Sequence, residues 1–458
     1  MIDSDLKYLE PEFREQIAFF PEPDGYNVRH RFTEKPDRLI NTVTVNGKTY
    51  AYGNLVGADG DGAERKRLIK RYAKLSLYKA MAQYTGVKLP WGALTGVRPT
   101  KLAYSELKRT GEFREFFTDV MKVSEKKTEL VAQVIENQKG IYDESADNSD
   151  LFVFVPFCPS RCRYCSFITA ESDNSPLVMD AYTDILVKEI RESARFIKKL
   201  RSIYVGGGTP VALDDRNLEK LLHAIDGINS GVEYTVEAGR PDRITADNLK
   251  RLKAHGVTRV CVNPQTLSDE TLKRIGRNHT AADFFAAYGL AAKDFSVNVD
   301  LIAGLDGETA ADFKNTLDKV AELSPDNVTV HSLCYKKGAK LAESEKKFNP
   351  YAAEMVEYSQ DALARAGYGA YYLYRQKYAA GNLENAGFTL KGKACVYNVD
   401  AMEEISDCVA CGANGISKRV NVKENLITRY GSPKDVKTYM AKADEIIKGK
   451  GEIFGEKA

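Results

Sequence analysis

The stretch FVFVPFCPSRCRYCSF, residues 152–167, places Cys158, Cys162 and Cys165 within eight positions. Thiolates at this density hold metal or react. A structural zinc site needs four ligands, usually from two separated pairs, and no fourth cysteine stands nearby. Three thiolates on a loop after a β-rich run suit an iron-sulfur cubane, which would keep one iron open to a non-protein ligand. The other cysteines, Cys261, Cys334, Cys395, Cys408 and Cys411, lie far off in sequence. Cys408 and Cys411 form a CxxC that, with Cys395, would bind a second metal or else stay as buried thiols.

A second chemistry-bearing stretch is YVGGGTP, residues 204–210. Without a Cβ at Gly206, Gly207 and Gly208, the chain can approach a polar ligand closely, and backbone N–H groups there are expected to face it. Such a run also serves as a tight turn or a phosphate cradle.

These stretches follow short β-rich runs that alternate with helix-length charged segments: residues 151–156, 202–208, 232–238, 257–265, 297–304 and 327–333. That alternation predicts βαβ crossovers and a parallel sheet. Six units predict an α/β fold with a partial (β/α)6 barrel, open on one side, at residues 146–334. Glu237, Gln265 and Asp300 stand at or just after the ends of separate runs, the rim where parallel sheets place their chemistry. Residues 1–145 read as an α+β domain, with an Asn46-Gly47 hairpin and a helix over 64–84. The polar run YDESADNSD, 142–150, reads as a linker, and residues 335–458 as a C-terminal α/β extension with a helix over 350–366.

The 458 residues carry 66 basic and 64 acidic side chains, so no general field draws the chain to nucleic acid or anionic lipid. No apolar run approaches the ~20 residues of a membrane span, and the N-terminus lacks a secretory pattern. A cytoplasmic location, where thiols stay reduced, is expected.

With Cys158, Cys162, Tyr164 and Cys165 matching CxxxCxΦC, the chain resembles the radical S-adenosylmethionine (SAM) superfamily. That resemblance implies a [4Fe-4S] cluster on the three cysteines, with SAM's amino and carboxylate groups on the fourth iron. It also implies one-electron cleavage of SAM to a 5′-deoxyadenosyl radical. Gly207, Gly208 and Thr209 would correspond to the family's stretch for the methionine moiety. Over residues 150–420 the similarity narrows to the oxygen-independent coproporphyrinogen III oxidase family, and the flanking regions look most like its HemZ branch, the coproporphyrinogen dehydrogenases. By that resemblance Glu237, Gln265, Arg277, Asp300 and Ile416 contact SAM. Phe152 and Phe154 stand where better-characterised oxidases carry Tyr and His, and their Phe-Gln pair has no match near Cys395 to Asn398.

The implied reaction is oxidative decarboxylation of coproporphyrinogen III to protoporphyrinogen IX in haem biosynthesis, with an electron donor protein as partner. Cations must hold the propionates, and Arg240, Arg375 and Lys377 are candidates whose alternative is solvated surface charge. Tyr371, Tyr372 and Tyr374 would pack on a macrocycle or belong to a core. The competing reading is a haem-binding or haem-trafficking protein with His331 as axial ligand. A third is a radical SAM enzyme acting on another tetrapyrrole.

Overall fold

The computed structural model describes residues 1–56, 62–96, 98–166, 170–172, 176–336, 338–343, 348–376 and 383–455. Packing divides the chain into two compact units, Met1–Ala132 and Gln133–Ala458.

In the first unit β1 (Ile2–Ser4), β2 (Val28–Lys35), β3 (Arg38–Val45) and β4 (Lys48–Leu55) form a sheet in sequence order. Asn46 and Gly47, both at positive φ (45° and 87°), make the tight β3–β4 turn expected of that pair. Helices α1 (Glu10–Ile17) and α2 (Gly62–Thr85) contribute Phe13, Leu77 and Met81 to its core; α3 (Pro99–Thr110) and α4 (Glu125–Asn137) follow, α4 running across the division.

The second unit holds the expected strands: β5 (Asn148–Val155), β8 (Lys199–Gly207), β9 (Glu233–Gly239), β10 (Arg259–Val262), β11 (Ser296–Ala303) and β12 (Asn327–Ser332). All pair in parallel in that order, joined by α5 (Pro176–Ser193), α6 (Asp215–Asp226), α7 (Ala246–Ala254), α8 (Asp269–Ile275), α9 (Ala281–Ala291) and α10 (Ala310–Glu322). Two short strands, β6 (Phe157–Cys158) and β7 (Ala170–Glu171), pair beside β5. This is the partial (β/α)6 arrangement, and it does not close. Beyond β12 lies the antiparallel pair β14 (Glu384–Thr389) and β13 (Gly369–Arg375). Beyond β5 lie a seventh parallel strand, β15 (Asp407–Cys411), then β16 (Ile416–Asn421) and β17 (Leu426–Gly431). The described residues thus form one eleven-stranded sheet with β13 and β17 at its edges. Residues 335–458 therefore supply strands to both ends of the sheet begun by residues 146–334, because β12 and β5 each leave a ladder edge to be paired. Helices α11 (Ala352–Arg365), α12 (Val396–Glu403), α13 (Val436–Ala441) and α14 (Ala443–Phe454) complete the unit.

The linker reading of 142–150 is corrected at its end. Asn148, Ser149 and Asp150 are buried at the start of β5, where Ser202 Oγ donates to Asp150 Oδ1 at 2.5 Å. A polar run in a parallel interior is tolerated when its groups are partnered.

Candidate active site

One cavity of about 450 Å³ opens at the C-terminal ends of the central strands. Cys158, Cys162 and Cys165 line it together with Gly207, Gly208, Thr209, Glu237, Gln265, Arg277 and Asp300. The loop bearing the cysteines is fixed from outside: Arg163 N–H donates to Ile275 O at 2.9 Å, and Leu341 N–H donates to Arg163 O at 2.8 Å. Cys158 Sγ lies 3.1 Å from Thr209 Oγ1, and Arg240 Nη1 donates to Cys162 Sγ at 3.9 Å. Burial pushes the Cys158 thiol up, with the Thr209 contact opposing it. A cation bound to the sulfur would offset that cost.

Among the described residues, the one set of three His, Cys, Asp or Glu ligand atoms within 4.8 Å of one another is Glu219, His223 and His255, away from the cavity lining. Three thiols from one short loop on the wall of a cavity suit an iron-sulfur cluster that keeps one iron open to a non-protein ligand.

Two carboxylates face the same space in contrasting environments. Glu237 Oε1 accepts from Tyr204 OH at 2.6 Å, and Oε2 accepts from Gly207 N–H at 3.2 Å. Burial nevertheless pushes its pKa to about 7, with nearby Asp300 adding to the rise. Burial would raise Asp300 as well, but His331 and the Asn298 amide outweigh it, so its carboxyl is held below the ordinary range. Asn263 and Asn298 donate to Asp300 at 2.9 and 2.7 Å. Gln265 has φ +70°, unusual for a residue with a Cβ, and its backbone bridges Asp300 O and Ile302 N at 3.1 and 3.0 Å. Among the described residues its buried Oε1 has no hydrogen-bond partner.

The glycines are needed for close packing. A Cβ on Gly208 would stand 2.2 Å from Phe157 O, and one on Gly206 would stand 2.8 Å from the Glu237 carboxylate. The expectation that N–H groups of this run face a ligand is corrected. Gly207 N–H turns to Glu237, Gly208 N–H to Val155 O at 2.6 Å, and Thr209 N–H to Phe157 O at 2.7 Å. The run offers the cavity a bare surface, with these three donors already engaged within the protein.

Arg277 is buried, donating to Tyr164 OH at 3.0 Å and to the carbonyls of Gly239 and Asn263 at 3.1 and 2.8 Å. It thereby locks the cysteine loop to β9 and β10. Arg240, 2% exposed, forms a two-point ion pair with Asp242 at 2.9 and 3.1 Å. Arg375 is 3% exposed, so solvated surface charge is wrong for both arginines. Lys377 lies outside the described residues. Ile416 does not join the cysteines; it lines an adjoining cavity that shares Phe152, Phe154 and Tyr397 with the first. Cys395, Cys408 and Cys411 are not brought together. Cys395 donates to Glu233 at 3.2 Å, while Cys408 and Cys411 occupy opposite faces of β15.

Two lining residues, Tyr397 and Lys336, carried no signal in the sequence. Tyr397, from α12, stacks on Tyr204 at 4.4 Å and on Phe152 at 5.9 Å. Tyr374 OH lies 3.3 Å from His331 Nδ1, whose ring presents Nε2 3.8 Å from Asp300 Oδ2, giving a polar chain across the cavity wall. Tyr371 and Tyr372 are core residues. Lys336 also lines the cavity, its ammonium pushed down by burial. No helix among the described residues is long and apolar enough to cross a membrane.

Comparison with known proteins agrees with this geometry. Residues 152–320 match the family model of the radical SAM superfamily. The chain is 32% identical over 407 residues to the oxygen-independent coproporphyrinogen-III oxidase-like protein HemZ of Bacillus subtilis, covering 84% of this chain and 81% of that protein. It is 30% identical over 321 residues to the heme chaperone HemW of Lactococcus lactis, covering 67% of this chain and 79% of that one. Among solved structures, the Escherichia coli coproporphyrinogen III oxidase HemN shares the fold with a TM-score of 0.52 and 22% identity, over 67% of this chain and 72% of that chain.

Proposed function

The chain belongs to the radical SAM HemN/HemZ family, and from that premise we propose that it is an oxidoreductase acting on a tetrapyrrole, with coproporphyrinogen III its substrate and two propionates converted to vinyl groups. Its cofactors are those of the family, a [4Fe-4S] cluster and SAM. Together they supply a one-electron cleavage that removes hydrogen from an unactivated C–H bond.

The observation that carries the reading is that Cys158, Cys162 and Cys165 share one cavity wall with carboxylates from two separate strands, Glu237 and Asp300. The cysteines would hold the cluster, and Arg240 beside Cys162 would stabilise its negative charge. Glu237, Asp300 and the unpartnered Gln265 Oε1 would accept hydrogen bonds from the amino group and the ribose hydroxyls of SAM. Gly207 and Gly208 would leave room for it against the strand ends. Arg277 acts as a positioning residue, through Tyr164.

Phe152 and Phe154 line the cavity and offer no proton. The chain Asp300–His331–Tyr374 supplies titratable groups on the same wall, and Lys336 supplies a cation for a propionate. Neither Arg240 nor Arg375 is needed in that role.

A second reading, haem binding, is favoured by His331 on the cavity wall and by the HemW relative. Anaerobic turnover separates the two. The reduced, cluster-loaded protein with SAM and coproporphyrinogen III is expected to give a product lighter by two CO2 and four hydrogens, together with 5′-deoxyadenosine, and Cys162→Ala to give neither. Deoxyadenosine without a vinyl product would move the substrate elsewhere. A stoichiometric haem complex with a sharp Soret band and no turnover would establish the carrier.

A further inference from the structure

Helix α6 places Glu219 and His223 four residues apart, and therefore on one face, while His255 caps the C-terminal end of α7 beside them. Their ligand atoms all lie within 4.8 Å of one another. The two imidazoles, nearly perpendicular with ring centroids 5.0 Å apart, turn matching nitrogens toward the same partners. His255 Nε2 lies 3.1 Å and His223 Nε2 3.6 Å from one oxygen, Glu219 Oε1. On their other sides, His255 Nδ1 and His223 Nδ1 lie 2.8 and 3.2 Å from Asp226 Oδ2. Arg251 Nη1 donates to Glu219 Oε2 at 2.8 Å, which anchors that carboxylate and leaves Oε1 directed at the two rings.

A neutral imidazole has one N–H and one lone pair. With each Nδ1–H given to Asp226, both Nε2 lone pairs are left on the side of an anionic oxygen. Three electron-pair donors within 4.8 Å of one another form a ligand set, and a cation between them satisfies all three. An outer carboxylate that fixes the ring tautomer is what metal-bound histidines ordinarily have. His255 is 8% exposed in its side chain and His223 is 65%, so the point is walled on one side and open to water on the other.

We propose that Glu219 Oε1, His223 Nε2 and His255 Nε2 bind a divalent transition-metal ion, with zinc the best match, oriented by Asp226 and completed by water. Two imidazoles and a carboxylate suit zinc better than calcium or magnesium, which favour all-oxygen shells. The ion would clip α6 to the end of α7, two helices on the outside of the sheet. It is separate from the cysteine cavity and does not depend on the chemistry proposed there.

The test uses the anaerobically cluster-loaded protein, so that the three thiols are already occupied. It is equilibrated with buffered Zn2+, and bound zinc and iron are counted together by mass spectrometry. One zinc per chain is expected in the wild type with the iron count unchanged. Binding should weaken at least about tenfold in His223→Ala and in His255→Ala, and about 10- to 100-fold in Asp226→Asn. Because His223 is exposed, His223→Ala should fold as the wild type does, and its zinc-free thermal midpoint checks this. Zinc should raise the midpoint of the wild type and leave that of His223→Ala unmoved. Equal zinc occupancy in wild type and His223→Ala, or no bound zinc at any concentration the cluster survives, would overturn the assignment and leave a network of hydrogen bonds and ion pairs.

Discussion

Glu237 illustrates how a single side chain can be tuned by its setting. Burial lifts its pKa from 4.5 to about 7. The folded chain therefore keeps a proton there that the unfolded chain has already released. Between roughly pH 4.5 and 7 this group binds more protons in the folded state, so its contribution to stability falls as pH rises through that window. In cluster-free protein, the thermal midpoint of Glu237→Gln should decline less than that of the wild type over this range; parallel curves would refute the shift. The same substitution is expected to weaken SAM binding by about 1–3 kcal/mol, the cost of losing a hydrogen bond to a charged group, with the cluster spectrum intact. The cysteines were readable because their spacing is local in the chain. Gly207 and Gly208 were readable as close-approach residues, but the direction of their N–H groups was not, since it is set by Val155, Phe157 and Glu237 across the fold. Tyr397 and Lys336 sit in stretches with no motif, and only the closing of distant segments on the cavity gives them a place.

Among the elements, α14 shows a dependence that its sequence hides. Lys450 is fully buried and pairs with Glu189 of α5 at 2.7 Å, while donating to Ser193 Oγ at 3.1 Å. Glu189 Oε2 in turn accepts from Gly412 N–H at 2.7 Å and from Tyr439 OH at 2.5 Å. One carboxylate thus holds α13, α14 and the turn after β15 to α5. Removing the ammonium strands that carboxylate in a dry interior, and Lys450→Ala is expected to cost about 3–5 kcal/mol in chemical denaturation. A loss within 1 kcal/mol, roughly that of a surface pair, would mean that water reaches the site. In IIKGKGEIF nothing distinguishes this lysine from a solvated one. The six core strands were legible because β-branched and aromatic residues crowd them and helix-length charged segments alternate with them. β15, with the sequence DCVAC, is short and begins on an aspartate, so it carried no such signature.

For the molecule as a whole, the second unit is built on an eleven-stranded sheet assembled out of chain order. β5 pairs with β8 on one side and with β15 on the other, from Ser149 to Val153 against Asp407 to Cys411. A chain stopped before β15 would leave the β5 edge unpaired and remove Glu189's partners in α13 and α14. Such a truncation at residue 400 is expected to collect in the insoluble fraction on expression, and a soluble, cluster-binding truncation would show that β15 is dispensable. The pairing also sets a clock on the ribosome. Some 250 residues separate the two strands, which at about 5–20 residues per second means roughly 10–50 s of translation. For that interval the apolar ribbon LFVFV, the same segment that leads into the cysteines, has an open flank. The nascent polypeptide must be sheltered through this delay, by chaperones or by transient contacts with the parts already made, before iron can be delivered to a finished loop.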